Sequence, residues 1–154
     1  MHAEDAILIE DFATLARGYC AWCENTANEK TATEAATWLA RLHAAALGLP
    51  ACEPGDTDAP DLPVVQRELA RQGLAQVRGR YYRSCFDLDP ACTDPVTLGD
   101  LDDDLQDIYS DLWCALALFD AGEKQTAAWE WAFGHQAHWG RHAVSALKAL
   151  YSGC

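Results

Sequence analysis

Apolar residues recur at three- and four-residue steps along most of the chain. From Asp5 to about Ala27, Leu8, Phe12, Leu15, Ala16, Tyr19, Trp22 and Cys23 form one stripe, the pattern of an amphipathic helix facing a core. A second helix is predicted to start at Thr31, whose hydroxyl can accept from a free first-turn amide while Glu34 reaches back. It presents Ala35, Trp38, Leu39, Leu42 and Ala46, then stops at Gly48-Leu49-Pro50. Residues 50–61 hold three of the six prolines with Gly55 and several Asp, an exposed loop rather than a domain linker. A third helix is expected from about Asp61 through Val64, Val65 and Leu69 to Gly73, and a shorter one over 74–85. Beyond a loop marked by Pro90 and Pro95, a long helix is predicted from about Leu98 to Asp120. Ala121-Gly122-Glu123 then turns the chain, and residues 124–151 are helical with a break near Trp139-Gly140. No window of four or more residues alternates cleanly enough to demand a strand. The pattern predicts an all-α fold, a single-domain antiparallel bundle of about six to seven helices with a helical hairpin around Gly122.

Composition narrows this picture. A length of 154 residues, half of them hydrophobic and 23% charged, gives one domain spanning 1–154 with a core of its own. The net charge of -13 excludes partners bound through cationic surfaces, namely nucleic acid and anionic membrane. The opening Met1-His2-Ala3-Glu4-Asp5 has neither the cationic segment nor the apolar run of a signal peptide, and no later window approaches a membrane span. A cytoplasmic protein is expected. The seven Cys are odd in number and irregularly spaced, which reads as reduced thiols acting as small apolar fillers.

Charge is patterned along the chain. Asp100, Asp102, Asp103, Asp104, Asp107 and Asp111 lie within twelve residues, and on a helix Asp100, Asp104, Asp107 and Asp111 fall within about 60° of one another, with Asp103 beside them. Leu101, Leu105, Ile108, Leu112, Leu116 and Phe119 form the adjoining apolar face. The helix dipole favours acids only in the first turn, so the mutual repulsion of Asp107, Asp111 and their neighbours calls for an offset: solvent, an internal cation or a metal ion. The internal candidate is the segment Arg67, Arg71, Arg78, Arg80 and Arg83, five of the eleven cationic residues. Arginine forks onto the Asp stripe are the leading expectation. The metal alternative draws on Asp107 and Asp111 with His135 and His138, the two histidines being one helical turn apart. Such ligands suit Zn, Mn or Fe, with bound water as nucleophile. Glu130 and His142 lie in the same segment, but a helix break at Gly140 would take His142 off the shared face. His-x-x-His-x-x-x-His also lacks the embedded Glu of the metalloprotease motif.

Other motifs carry less. Cys20-x-x-Cys23 falls inside a helix rather than at its start, where free amides would activate a thiol, so it reads as packing. Trp113, Trp129 and Trp131 at helical spacing read as fillers between helices.

Several segments are similar to a known family. DDLQDIYSDL ending at Leu112, LALFDAGEKQTAAWEWAF and HWGRHAVSALKAL resemble the C-terminal signature of domain-of-unknown-function family 5063, a group of uncharacterised bacterial proteins of about this size. FATLARGYCAWC, LHAAALGLP and the segment from Tyr82 to Phe86-Asp87 resemble its N-terminal part. Asp103, Asp104, Asp107, Asp111, Trp131, Trp139 and Gly140 match the family pattern. This chain reads Phe86-Asp87-Leu88-Asp89-Pro90 where the pattern reads Phe-Asp-Pro. Some members have Asn-Trp-Gly-Pro-Thr in place of His138-Trp139-Gly140-Arg141-His142, which implies that His138 and His142 are not obligatory to the family and that a helix starts near 141. The resemblance implies no activity. Residues 112–134 also resemble one tetratricopeptide hairpin, with Leu118, Gly122, Ala127 and Trp131 at its signature places. That likeness implies antiparallel packing of the helices around Gly122.

Taken together, the sequence points first to a small acidic helical module that binds another protein and needs no cofactor. Its candidate surface is Asp103, Asp104, Asp107, Asp111, Trp131 and Trp139. The alternative is a metal-dependent hydrolase or related enzyme using Asp107, Asp111, His135 and His138.

Overall fold

A computed structural model describes residues 2–153 and contains, among them, six α-helices and one short antiparallel hairpin. The order is α1 (Ala3–Glu24), α2 (Ala32–Leu47), α3 (Val64–Gly73), a 3-10 turn (Ala75–Val77), β1 (Tyr81–Ser84), β2 (Thr97–Asp100), α4 (Leu101–Asp120), α5 (Lys124–Ala137) and α6 (Trp139–Tyr151). Helix α4 is the central rod, packed by α1, α3, α5 and α6, while α2 closes the far side against α6. Leu105, Ile108 and Leu112 on α4 meet Phe12 and Tyr19 of α1, Leu39 and Leu42 of α2, and Trp131 and Trp139 in one buried cluster. No helix among the described residues is long and apolar enough to cross a membrane.

Local chemistry accounts for most boundaries. At the start of α2 the Thr31 hydroxyl accepts from the Glu34 amide at 3.1 Å, and the Glu34 carboxylate accepts from the Thr31 amide at 3.2 Å. Helix α4 ends in a Schellman motif: Gly122 takes φ +94°, its amide donates to the Phe119 carbonyl at 3.0 Å, and the Glu123 amide donates to Leu118 at 3.0 Å. The left-handed conformation there favours glycine and reverses the chain into α5, as the hairpin pattern around Gly122 predicts. Ala127 and Trp131 are buried in this hairpin, where the Trp131 indole N–H donates to the Leu112 carbonyl at 3.4 Å.

Residues 74–100 depart from the sequence expectation. The helix anticipated over 74–85 is a single 3-10 turn followed by β1, and the long helix begins at Leu101 rather than Leu98 because Thr97–Asp100 pairs with Tyr81–Ser84. The ladder joins Tyr81 to Asp100, Tyr82 to Gly99, Arg83 to Leu98 and Ser84 to Thr97. In β1 only Tyr82 and Ser84 turn partly inward, and Ser84 is polar, so a strand this short carries no apolar alternation to mark its inner face. Asp100 then caps α4, its carboxylate accepting from the Asp102 amide at 3.0 Å.

The expected break near Trp139-Gly140 falls at His138, which leaves the helical region at φ -143° and ψ -82°. Close approach at Gly140 sets the angle between α5 and α6, since a Cβ on Gly140 would lie 2.1 Å from the His135 carbonyl oxygen. Trp139 locks the corner, its indole N–H donating to the Trp131 carbonyl at 3.1 Å. Cys20, Cys23, Cys52, Cys85, Cys92 and Cys114 are free thiols. Burial pushes the Cys20 and Cys23 thiols well up, so this CxxC is inert packing inside α1.

Candidate functional site: an Asp–His cluster between two helices

Helix α4 presents Asp104, Asp107 and Asp111 on one side, at steps of three and four residues. Facing them are His138, at the corner between α5 and α6, and His142, one turn into α6. The two imidazoles lie edge to face with centroids 4.9 Å apart. Their pairing with α4 runs in opposite order along the two segments. His142 Nδ1 is 2.7 Å from Asp104 Oδ1, and His138 Nδ1 is 2.7 Å from Asp111 Oδ2. A carboxylate only accepts, so each Nδ1 donates its proton, and in the neutral imidazole the lone pair then lies on Nε2. Both Nε2 atoms turn toward Asp107 Oδ2, at 3.3 Å from His142 and 4.0 Å from His138.

Depth is graded across the cluster. The Asp104 side chain is 8% exposed, that of His142 26%, and that of His138 50%. Buried Asp104 has both oxygens engaged, since the Tyr82 hydroxyl from β1 donates to Oδ2. The hairpin makes this bond possible: at Gly99, opposite Tyr82 in the ladder, a Cβ would lie 2.3 Å from the phenol ring. Burial, then the bond to Asp104, holds the Tyr82 phenol protonated well above its ordinary range. The hydrogen bond to Asp104 raises the affinity of His142 for a proton, aided by the charges of Asp104, Asp107 and Asp103 and opposed by burial. Asp103 stands above the ordinary carboxyl range through burial and the charges of Asp107 and Asp100.

The structure redistributes the residues singled out from sequence. Asp107 and His138 come together as expected. Asp111 sits behind His138, on the ring nitrogen turned away from Asp107. His135 is elsewhere: its Nε2 lies 2.9 Å from Nδ1 of His43 on α2, in a partly buried pair. His142 takes the place expected of His135, because the corner at His138 rotates α6 so that residue 142, rather than 135, looks along α4. Trp131 and Trp139, expected on the functional surface, are fully buried and support the cluster from below. The arginine forks are not formed on the stripe: Arg78 approaches Asp102 at 3.6 Å, while Arg71 pairs within α3 to Glu68 at 2.7 Å. Asp102 lies off the stripe and also accepts from the Gln106 amide at 2.8 Å. Histidine, not arginine, is the side chain that meets these aspartates. The spacing of Asp104, Asp107 and Asp111 against that of His138 and His142 was the available sequence signal, readable only once the two segments are known to be neighbours.

Fold and cluster together define a small helical protein whose polar centre is an Asp–His constellation on a central helix. The chain belongs to the family described as Domain of unknown function (DUF5063), whose sequence profile it matches over residues 5–153. Among solved structures it is similar to the crystal structure of protein BF1032 from Bacteroides fragilis, with 22% identity and a TM-score of 0.69 over 94% of this chain and 93% of that chain. That likeness shows the fold. No curated protein matches the chain.

Proposed function

We propose that this protein binds a divalent first-row transition metal through His138 Nε2, His142 Nε2 and Asp107 Oδ2, and acts as a metal-dependent hydrolase. One observation carries the reading: two imidazoles, each held at Nδ1 by its own carboxylate, aim Nε2 at the same oxygen of a third carboxylate. A carboxylate on the outer nitrogen fixes the tautomer and ring direction and strengthens the inner nitrogen as a ligand. Ligand bonds of about 2.0 Å at the tetrahedral angle require ligand atoms roughly 3.3 Å apart, the His142–Asp107 separation. His138 reaches the same spacing through a small swing of a half-exposed ring. The surplus of carboxylates, five counting Asp103 and Asp100, favours a cation at this point.

Two His and one carboxylate leave coordination positions open to water, and a bound metal would supply the activated water nucleophile of metal-assisted hydrolysis. The chain's own work is to orient. Asp104 and Asp111 set the two rings, Tyr82 completes the bonding of Asp104, and the Trp131–Trp139 wall keeps the corner rigid. Zn, Mn and Fe(II) all accept this donor set.

Chelator-stripped protein titrated calorimetrically with Zn2+, Mn2+ and anaerobic Fe2+ tests the reading. Saturable binding to a single site, lost in His142→Ala and in Asp107→Ala and kept in His135→Ala, is the expected result. Absence of saturable binding by any of the three ions overturns it, as does undiminished binding in a folded His138→Ala/His142→Ala variant.

A further inference from the structure

Beside the Asp–His cluster and sharing Tyr82 with it, a cavity of about 570 Å3 opens between the hairpin and the last turns of α6. Its walls combine two kinds of group. Leu88, Val96 and Ala149 supply apolar surface, and Leu88 and Val96 are 82% and 42% exposed, so nothing in the fold covers them. Arg83 of β1 and Lys148 of α6 supply positive charge. Acids outnumber Lys plus Arg by 24 to 11, yet no carboxylate lines this cavity. Four of the eleven Lys and Arg side chains find acidic partners, and among the described residues Arg83 and Lys148 are two of the seven that make no ion pair. Two unpaired cations on elements far apart in sequence therefore converge on one apolar recess. The Ser84 and Ser145 hydroxyls lie at the same cavity and can add neutral donors.

We propose that this cavity is a binding site for a small amphiphilic anion, of which a medium-chain carboxylate is the simplest form, with its head on Arg83 and Lys148 and its chain against Leu88 and Val96. Ligand sites of this size are mostly apolar with a few placed polar groups that fix orientation. The two cations select the sign of the head group and the walls select an apolar tail. The site is tested separately from the metal reading, because its lining shares only Tyr82 with the cluster and the two cations, Arg83 and Lys148, lie outside it.

The experiment is calorimetric titration of the full chain with decanoate, decyl phosphate and decylamine. Decanoate is expected to bind and decylamine to fail. The double variant Arg83→Ala/Lys148→Ala should weaken decanoate by about tenfold or more. Cys85, an exposed thiol on the cavity wall, adds a readout on the unaltered protein: saturating decanoate should slow its alkylation by iodoacetamide and leave Cys92 unaffected. Tighter binding of decyl phosphate than of decanoate supports the site with a phosphate head. The proposal is overturned by equal affinity for decylamine, by absence of decanoate binding at about 1 mM, or by full retention of binding in the double variant.

Discussion

Two histidine pairs flank the α5–α6 corner and behave in opposite ways. His43 and His135 bridge α2 and α5 with a ring-to-ring bond of 2.9 Å and no carboxylate among their hydrogen-bond partners. His138 and His142 bridge the α5–α6 corner to α4 with a carboxylate on every near side. Burial, with the neighbouring His43 ring, lowers the proton affinity of His135, whereas Asp104 raises that of His142. The residue type is the same; the charge placed around it by the fold decides whether the proton affinity of an imidazole falls or rises.

The comparison can be broken most severely at Trp139, whose ring meets His135 edge-on at 4.7 Å and whose backbone joins directly to His138. Trp139→Ala should cost about 3–5 kcal/mol by urea unfolding, since a fully buried indole leaves a cavity, and both histidine pairs should lose their geometry together. A loss under about 1 kcal/mol would mean that the corner is held by something other than this wall.

A selective break comes next. Asp104→Asn keeps the shape of the residue behind His142 but removes its charge, and should weaken Zn2+ binding by roughly 10–100-fold in calorimetry. His43→Ala should leave Zn2+ affinity unchanged. Equal effects of the two substitutions would erase the distinction between the pairs.

Titration sharpens the contrast in sign. The folded affinity of His142 for a proton is raised, so in metal-free protein its contribution is full below the ordinary histidine value of about 6.5 and fades as pH rises through the higher folded value. His142→Gln should therefore destabilise more at mildly acidic than at alkaline pH. His135 is lowered, so its favourable neutral state is present above about 6.5 and lost as pH falls toward the lower folded value. His135→Gln should lose less stability than the parent between neutral and acidic pH. Denaturant midpoints measured across that range check both slopes, and slopes of the same sign would contradict the assignment.

The smallest effect is expected at Arg78, the one arginine that, among the described residues, forms an ion pair with the acidic segment. At 3.6 Å from Asp102 and half exposed, its removal as Arg78→Ala should cost under about 1 kcal/mol, with no change in metal affinity. A larger loss would restore arginine as the main counterweight to the aspartates.

Local rules were sufficient for much of the fold. The apolar stripes, the Thr31-Glu34 capping box, the turn at Gly122 and the break beside Gly140 each depend on residues within a turn or two of one another, and each appears where its chemistry requires. The hairpin at residues 81–100 was illegible because a strand pair is a long-range object: Tyr82 gains its place from Gly99, seventeen positions away, and from Asp104 beyond it. The aspartate stripe was equally plain, as was its need for a counter-charge, since a helix of known period fixes which carboxylates share a face.

What the sequence by itself determined, then, is the helical period, the caps and turns, and an acidic face that something must neutralise. Tertiary packing decided the partner. The pivot at His138, set by the close approach of Gly140 to the His135 carbonyl, turns His135 toward α2 and His142 toward α4. A rotation of one helix against another is fixed by the sum of many side-chain contacts in the shared core, and no local spacing encodes it.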